Sequence, residues 1–239
     1  MRDDQSTDWG WAVSVLYDFS TNLIRRIYDR RISDPPVLDA ASRFPEAERF
    51  AEVWPILCDE AQRLAEDIGR IPRFHELMAE QASISANDGK DWRMFVLKAY
   101  GVPVPGNLAK CPELARLLAS TPDVLTATLS FLAPHKHIPP HRGPFRGVLR
   151  FYLGLSVPTD EDGRPAAVLT LDGVEHRIGD GQYLLWDDTF VHEVRNSSDQ
   201  PRIALLLDVR RRGMPPDLAL LSRLLVGIAG TVARYKQLA

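Results

Sequence analysis

The sequence has 239 residues, of which 45% are hydrophobic and 26% are charged, and its formal net charge is -3 at pH 7. This composition is typical of a globular protein with one sizeable core and is evidence against intrinsic disorder. The slight negative charge also argues against a nucleic-acid partner that requires a strongly basic surface. Cys58 and Cys111 lack the spacing of a disulfide framework or a cysteine-rich zinc site.

The two ends of the chain are informative about the subcellular location of the protein. The opening residues, MRDDQSTDWGW, are acidic where a signal peptide is basic, so we expect a cytoplasmic protein. The strongly apolar run over 224–233 lies between Arg223 and Arg234, and it is about half as long as the roughly 20 residues that a spanning helix needs. These ends therefore predict no membrane span.

Helical periodicity is found near both termini. Residues 11–27 carry Leu16, Phe19, Leu23 and Ile27 at helical spacing, followed by RRIYDRR. This helix either covers the core or lies on an anionic membrane surface, at the inner face of the membrane. Further helices are predicted over 55–68, with Gly69 as its C-cap, over CPELARLLAS, and from about Asp217 to the end.

From Trp92 the period changes to that of short strands. The runs are WRMFVLKAY, VLTATLSFL, GVLRFYLGLSV, AVLTL, GQYLLWD and RIALLLDV, separated by turn residues. The links between most of these runs are too short to hold a helix, which favours a sandwich or barrel over a parallel sheet. We predict an N-terminal helical region over 1–90, a β core over 91–212 and a C-terminal helix over 213–239.

Four histidines lie in two segments of the β region. His135, His137 and His141 occur in PHKHIPPHRGP, and His192 occurs in WDDTFVHEVRN. Alternate residues of a strand project to one face, so HKH could be a metal pair that forms a three-histidine site with His192. Alternatively, only His141 and His192 bind a metal.

The two segments, HIPPHRGPFRGVLRFYLGL and WDDTFVHEVRNSSDQPRIALLLDV, resemble the aspartyl/asparaginyl β-hydroxylase family in residue types, order and spacing. That family consists of iron(II)- and 2-oxoglutarate-dependent oxygenases. The family pattern is a serine-led strand, a Pro-His-x-Gly-Pro segment, an Arg-x-His-Leu-Gly-Leu strand, an acidic-x-x-x-His segment and an arginine ten residues later. Here Ser130, His141, Arg150, His192 and Arg202 occupy those places.

The resemblance implies a double-stranded β-helix (jelly roll, cupin-like) core with flanking helices. It implies that His141 and His192 bind iron, that Arg202 binds the far carboxylate of 2-oxoglutarate, and that Arg150 and Ser130 are further carboxylate donors. Tyr152 replaces the family histidine in the Arg-x-His strand as a further possible donor. Gly143 stands where the wider superfamily has the carboxylate of a facial triad, and water is expected to fill that ligand position.

The implied reaction uses O2 and 2-oxoglutarate, yields succinate and hydroxylates an unactivated carbon. The expected substrate is a small molecule, an amino-acid derivative or a lipid acyl chain, and peripheral membrane contact through the terminal helices would suit a lipid. A noncatalytic jelly roll that binds a metal or ligand is the alternative.

The roles of several neighbouring residues and the oligomeric state stay open. Asp187 and Asp188 either orient a ligand or lie in an exposed turn, and Asp208 is equally open. Trp92 either lines the pocket or packs in the core.

Overall fold

The structure is a computed structural model that describes residues 23–238, with side chains through 234. The described chain is helical over 23–29, here called α1. The other helices are α2 (Ala40–Arg43), α3 (Ala47–Glu52), α4 (Trp54–Ala65), α5 (Phe74–Leu77), α6 (Ala82–Ser85), α7 (Pro105–Leu108), α8 (Pro112–Ala119) and α9 (Pro216–Leu238), with 3-10 turns at Ile68–Arg70 and Ala79–Gln81. The strands are β1 (Val37–Leu38), β2 (Trp92–Ala99), β3 (Val102–Pro103), β4 (Val124–Leu132), β5 (His137–His141), β6 (Val148–Ser156), β7 (Ala167–Leu171), β8 (Val174–Arg177), β9 (Tyr183–Trp186), β10 (His192–Asn196) and β11 (Arg202–Arg210).

The strands form two antiparallel sheets. The large sheet has the order β1-β9-β6-β11-β4-β2-β3, and the small sheet has the order β5-β10-β7-β8. Neighbouring strands in each sheet are often far apart in sequence, as with β11, which pairs with both β4 and β6. One cavity is lined by residues of both sheets, so it lies between them. This is the predicted double-stranded β-helix, a mainly β fold with flanking helices.

The two faces of the large sheet bury different residue types. Because strand residues alternate between faces, Leu205 and Leu207 of β11 pack with helical residues such as Phe50 and Leu57 in the main core. Arg202, two strand positions from Ala204, lines the cavity on the opposite face. Burial of each large apolar side chain contributes about 1.5–3 kcal/mol, so the helical layer stabilises the sheet that carries the site.

All six predicted strand runs contain a strand of the structure. The short strands β1, β3, β5, β8 and β10 lie outside those runs. β5 contains Pro139 and Pro140, and β10 reads HEVRN, so neither shows the apolar alternation that signals a strand. β1 pairs with β9 and adds one strand of the predicted N-terminal helical region to the large sheet.

The helix predictions hold with shifted ends. The helix predicted over 55–68 is α4, which ends at Ala65 with Glu66 as its C-cap, and Gly69 lies instead in the following 3-10 turn. Of the helix predicted over 11–27, residues 11–22 lie outside the described residues, and 23–29 are helical.

The expectation that the C-terminal region is too short to span a membrane was wrong as a statement of length. In α9, Pro216–Arg234 is a 19-residue segment with a mean hydropathy of 1.4, long and apolar enough to cross a membrane by length and composition. The prediction considered only the uninterrupted run, whereas the helix continues through Arg223.

Candidate functional site

The cavity between the sheets contains all six residues that the sequence predicts for the site. Ser130, Arg150, Tyr152 and Arg202 come from the large sheet, and His141 and His192 come from the small sheet. The rest of the wall is mainly apolar and also contains one further histidine: Trp92, Ile138, Ala167, Leu169, His176, Ile178, Trp186, Val194 and Leu206. The structure therefore brings together residues that are up to 72 positions apart, as Ser130 and Arg202 are.

The two predicted metal ligands face each other. His141 and His192 are Cα partners in the β5–β10 pairing, and their ring centroids are 4.0 Å apart. His141 Nδ1 lies 2.8 Å from the Pro139 carbonyl oxygen, and His192 Nδ1 lies 2.9 Å from the Phe190 carbonyl oxygen. A carbonyl only accepts hydrogen bonds, so each Nδ1 carries the proton and each Nε2 keeps a free lone pair.

A β-bulge explains why His141 lies in the cavity and His137 does not. The β10–β5 register pairs His192 with His141 and Val194 with Ile138, so two steps on β10 match three on β5. The extra residue reverses the alternation of faces. Without the bulge, His141 would share a face with His137, which is four residues away. With the bulge, His141 shares the cavity face with Ile138 instead.

The other two histidines of the two segments, His135 and His137, form contacts outside the cavity. His137 Nε2 lies 2.6 Å from the Glu193 carboxylate, and His135 Nε2 lies 2.7 Å from the Asp199 carboxylate. Across residues 23–238, no group of three or more His, Cys, Asp or Glu side chains is arranged to hold a metal ion. Of the three histidines in the alternative hypothesis, only His192 therefore lines the cavity, together with His141. The third imidazole in the cavity wall is His176 of β8, which the sequence analysis did not single out.

Burial keeps both imidazoles neutral. Loss of solvent, together with the neighbouring His141, lowers the pKa of His192 to about 3. Burial also lowers the pKa of His141. Only a neutral imidazole has a lone pair for a metal, so both rings are in the ligand form at physiological pH.

Asp188 occupies the space beside Gly143. A Cβ built on Gly143 would lie 2.2 Å from Asp188 Oδ1, closer than two such atoms can approach. The Gly143 N–H also donates to the Asp188 carbonyl oxygen at 2.6 Å. Burial raises the pKa of the Asp188 carboxyl to about 6. The glycine that replaces the facial-triad carboxylate thus makes room for a carboxylate from another strand end.

The cation at this end of the cavity is already paired. Arg150 Nε donates to Asp208 at 2.8 Å, and its Nη2 lies 3.1 Å from Asp188 Oδ2. Asp187 has a different role, because it is fully buried and accepts from Arg146 Nε at 2.9 Å, from Arg211 and from the Thr189 hydroxyl at 2.6 Å. The exposed-turn interpretation is wrong for both Asp187 and Asp188.

Arg202 is the cation that lacks a counter-charge. It is 2% exposed, and it forms no ion pair with any residue that the structure describes. Its Nη1 donates to Ser130 Oγ at 3.3 Å, its Nε has no partner among the described atoms, and its guanidinium lies 5.6 Å from the Tyr152 ring centroid. Burial lowers the pKa of Arg202.

Trp92 combines the two roles considered for it. Its ring lines the cavity, stacks on Phe74 with centroids 4.0 Å apart, and lies in a small apolar cluster. Its indole Nε1 donates to Ser130 Oγ at 3.0 Å. Trp92 therefore packs as a core residue and also fixes the orientation of the Ser130 hydroxyl.

Sequence reasoning missed Trp186. Its ring packs edge-on against His192 with centroids 4.6 Å apart, and its buried Nε1 has no hydrogen-bond partner among the described residues. The predicted strand GQYLLWD contained this residue, and alternation from Leu184 places it on the cavity side. The alternation of residues along this strand could therefore have predicted that Trp186, at the end of the strand, faces the cavity.

Residues 51–212 match the model of the Aspartyl/Asparaginyl beta-hydroxylase family. The chain belongs to the aspartyl/asparaginyl β-hydroxylase family. The predicted resemblance is thereby confirmed. The matched range begins in α3 and includes every strand that lines the cavity.

Several characterised proteins are similar to this β-hydroxylase family member. It is 32% identical over 178 residues to the ornithine lipid ester-linked acyl 2-hydroxylase of Rhizobium tropici, covering 74% of this chain and 61% of that protein. It is 28% identical over 131 residues to the human aspartyl/asparaginyl beta-hydroxylase, covering 53% of this chain and 17% of that protein. The chain thus spans less than two thirds of the length of either relative.

Among solved structures, a prolyl-4-hydroxylase from Pseudomonas putida matches with a TM-score of 0.44 and 18% identity, covering 68% of this chain and 88% of that one. An oxalate decarboxylase-like protein from Thermotoga maritima matches with a TM-score of 0.34 and 13% identity, covering 50% of this chain and 81% of that one.

Proposed function

We propose that this protein is an iron(II)- and 2-oxoglutarate-dependent hydroxylase that acts on an unactivated carbon of an organic substrate. Membership of a hydroxylase family supports the reaction class. The dependence on iron and 2-oxoglutarate is inferred from the resemblance to that family, and the cavity supports it. The observation that carries it is the buried, unpaired guanidinium of Arg202 in the same cavity as two imidazoles with free Nε2 atoms.

The Arg202 end suits a carboxylate. A buried cation without a counter-charge is costly, and a carboxylate ligand would offset that cost with a charge-assisted pair. The Ser130 hydroxyl supports this assignment, because it already accepts from Trp92 at 3.0 Å and from Arg202 at 3.3 Å. A hydroxyl accepts about two hydrogen bonds and donates one, so its own hydrogen remains for a ligand oxygen.

The histidine end suits a divalent metal. Two neutral imidazoles with Nδ1–H bonded to backbone carbonyls are oriented as metal-binding histidines usually are. A site with two protein ligands leaves positions for the ketone and adjacent carboxylate of 2-oxoglutarate and for O2. When bound there, iron supplies the oxidative chemistry, with 2-oxoglutarate converted to succinate and carbon dioxide.

The remaining residues around the cavity would orient the bound groups and shield them from water. Asp188, held by Arg150 beside Gly143, provides a fixed acceptor near the histidines. Arg150 uses Nε and Nη2 for its two carboxylate partners and has Nη1 left for a ligand. Apolar residues such as Leu169 and Leu206 exclude water from the cavity walls.

For the substrate, we propose a lipid acyl chain before an amino-acid derivative or another small molecule. The support is the similarity to the Rhizobium tropici protein, whose name describes 2-hydroxylation of an ester-linked acyl chain of ornithine lipid. That similarity covers more of this chain than does the similarity to the human protein, 74% against 53%.

The test is oxygen-dependent succinate formation by the purified protein with added iron(II), 2-oxoglutarate and a panel of acyl lipids. We expect succinate to form in step with a product that is heavier than its substrate by one oxygen atom. Arg202→Ala is the matched inactive control. Metal and 2-oxoglutarate binding without turnover across the panel would instead support the noncatalytic alternative.

A further inference from the structure

We propose that α9 and the adjoining α1 form a docking surface for an anionic lipid bilayer. The surface consists of the α9 stripe, defined as Leu220, Leu224, Ile228 and Val232, together with Leu23 and Ile27 of α1 and the arginines beside them. This inference goes beyond the proposed function, because it concerns how the protein meets a membrane and does not depend on the reaction in the cavity.

The α9 stripe is a continuous apolar line on an exposed helix face. Its four residues are spaced four apart and are 68%, 60%, 55% and 51% exposed, respectively. Side chains four apart lie on one side of a helix, so the stripe runs along about 18 Å of the surface. Isolated exposed apolar residues need no explanation, whereas a row of four on one helix marks an interaction surface.

The opposite face of α9 is fixed to the protein. Leu218 is buried, and its carbonyl oxygen accepts from the Tyr28 hydroxyl at 3.1 Å. Ser222 Oγ lies 2.7 Å from the same hydroxyl, and at Gly230 an added Cβ would lie 2.8 Å from the Tyr100 carbonyl oxygen. A helix held on one side from 218 to 230 lies along the protein, so its apolar face suits the surface of a bilayer and not a span through it.

The charge around the α9 stripe indicates that its partner is an anionic bilayer. From 216 to 239 the sequence has three cationic residues and one acidic residue, Asp217, which pairs with Arg31, although the whole chain has a net charge of -3. Arg223 and Arg234 are exposed with the stripe. In α1, the exposed Arg26 accompanies the exposed Leu23 and Ile27, and the exposed Arg30 follows directly after the helix. Cations beside an apolar stripe match the phosphates of an anionic leaflet, whereas a second copy of this face would bring like charges together.

The docking surface lies next to the segment that follows His141. Phe145 packs edge-on against Tyr28 of α1, with ring centroids 5.4 Å apart. Arg25 Nη2 donates to the Gly143 carbonyl oxygen at 3.3 Å, and an added Cβ at Gly147 would lie 2.4 Å from Ser222 Oγ. The segment between β5 and β6 is therefore held between the two docking helices, which puts the bilayer beside one rim of the cavity.

The test is cosedimentation of the full-length protein with vesicles. We expect the protein to pellet with phosphatidylcholine vesicles that contain phosphatidylglycerol, to stay in solution with phosphatidylcholine alone, and to be released by about 0.5 M salt. Leu224→Asp with Ile228→Asp should reduce binding by at least about tenfold, since two apolar side chains would no longer be buried. Arg223→Glu with Arg234→Glu should also weaken binding, and most strongly at low salt.

Two controls keep the result interpretable. Val174→Asp removes an equally exposed residue, 59% exposed on β8, and should bind like the unchanged protein. A dye on Ile228→Cys should shift to the blue on addition of anionic vesicles, because its environment becomes apolar. Succinate formation and 2-oxoglutarate binding, measured without vesicles, should be unchanged in the stripe variants, which separates failure of docking from failure of the proposed reaction.

Three outcomes would overturn the proposal. The first is equal recovery in the supernatant with neutral and anionic vesicles. The second is vesicle binding that the stripe variants leave intact. The third is a dimer, seen by analytical ultracentrifugation without lipid, that Leu224→Asp with Ile228→Asp dissociates, because the stripe would then be an interface between copies.

Discussion

The two ends of the cavity differ in how charge is balanced. At the histidine end, Arg150 is paired with Asp208 at 2.8 Å and with Asp188 at 3.1 Å. At the other end, Arg202 is more deeply buried than Arg150 but has only the Ser130 hydroxyl, the Ser130 carbonyl and the face of Tyr152. Both arginines lie on the same face of the large sheet, on β6 and β11, so they differ in partners and in burial but not in the face that carries them.

This difference separates an architectural cation from a ligand-binding one. A buried charge that the protein pairs is part of the folded structure, whereas one that it leaves unpaired lowers stability until a ligand supplies the counter-charge. Arg150, predicted as a further carboxylate donor, is therefore already engaged by two carboxylates of the protein. Arg202 is the stronger candidate for the far carboxylate of 2-oxoglutarate.

The largest expected effect is loss of the metal. Replacing His141 or His192 with Ala removes one of two protein ligands, and hydrogen bonds from outside the coordination sphere cannot replace that bond. We expect iron occupancy to fall by about 10- to 100-fold or more. Metal analysis after desalting, with circular dichroism to verify folding, measures this.

His137→Ala is the matched control for the metal variants. Its ring contacts Glu193 at 2.6 Å on the other side of the bulge, so occupancy should be retained. Folded His137→Ala that loses iron, together with His141→Ala that keeps it, would show that the bulge has been misassigned and that the three-histidine hypothesis is right.

The next effect distinguishes the two arginines. Arg202→Ala should weaken 2-oxoglutarate binding at least about tenfold, since a charge-assisted pair contributes roughly 1.5–3 kcal/mol. Its free energy of unfolding should change little or rise, because an unpaired buried cation is removed. Calorimetric titration of the metal-loaded protein and urea denaturation measure the two quantities.

Arg150→Ala should show the reverse pattern. It leaves Asp188 and Asp208 without their cation, so we expect a loss of about 1–3 kcal/mol in unfolding free energy and a smaller effect on cosubstrate affinity. If the two variants lose affinity and stability in equal proportion, the contrast between the ends of the cavity is wrong.

Much of the fold could be predicted because its strands are apolar. Runs such as RIALLLDV show their burial directly, and the linked spacing of His141, Arg150, His192 and Arg202 predicted residues that the structure brings into one cavity. These features depend on local pattern, which a sequence displays. β10, by contrast, is a polar strand that is recognised only through its pairing with β5 and β7.

The partners of the site residues could not be predicted, because they depend on register. Asp208 pairs with Arg150 as direct cross-strand partners in β11 and β6, and that register includes an irregularity between Ile203 and Ala204. The bulge in β5 likewise decides which histidine faces the cavity. A shift of one residue reverses the faces, and nothing in a single strand's composition records it.

A smaller effect concerns pH and sharpens the account of the histidine end. With a pKa of about 3 in the folded protein against 6.5 ordinarily, His192 stays neutral in the fold where the unfolded chain binds a proton. The unfolded state therefore takes up more protons between these values, and stability falls as pH is lowered through this window, by up to about 1.4 kcal/mol per pH unit.

The comparison variant for pH is His192→Gln, studied with the metal removed by a chelator. Asp188 acts with the opposite sign, because its raised pKa of about 6 favours folding at low pH and that contribution is lost as pH rises through 6. The difference between the two proteins isolates His192. Parallel pH profiles of unfolding free energy would mean that its imidazole is not shielded.

The smallest expected effect is that of Trp186→Phe, which tests whether the histidine end has an unmet hydrogen-bond donor of its own. The indole Nε1 is buried without a partner among the described residues, while the ring contacts His192. Phenylalanine keeps an aromatic ring but removes the N–H, so an oxygen of bound 2-oxoglutarate would lose a donor that contributes about 1 kcal/mol, or roughly fivefold in affinity. In the unchanged protein, the indole N–H resonance that Trp186→Phe eliminates should move on addition of 2-oxoglutarate with a redox-inert diamagnetic metal, because the hydrogen bond then forms. An unchanged affinity for 2-oxoglutarate and a stationary resonance would show that Trp186 does not bind the cosubstrate. Of these two unpaired donors in the cavity, Arg202 alone would then be a ligand-binding group.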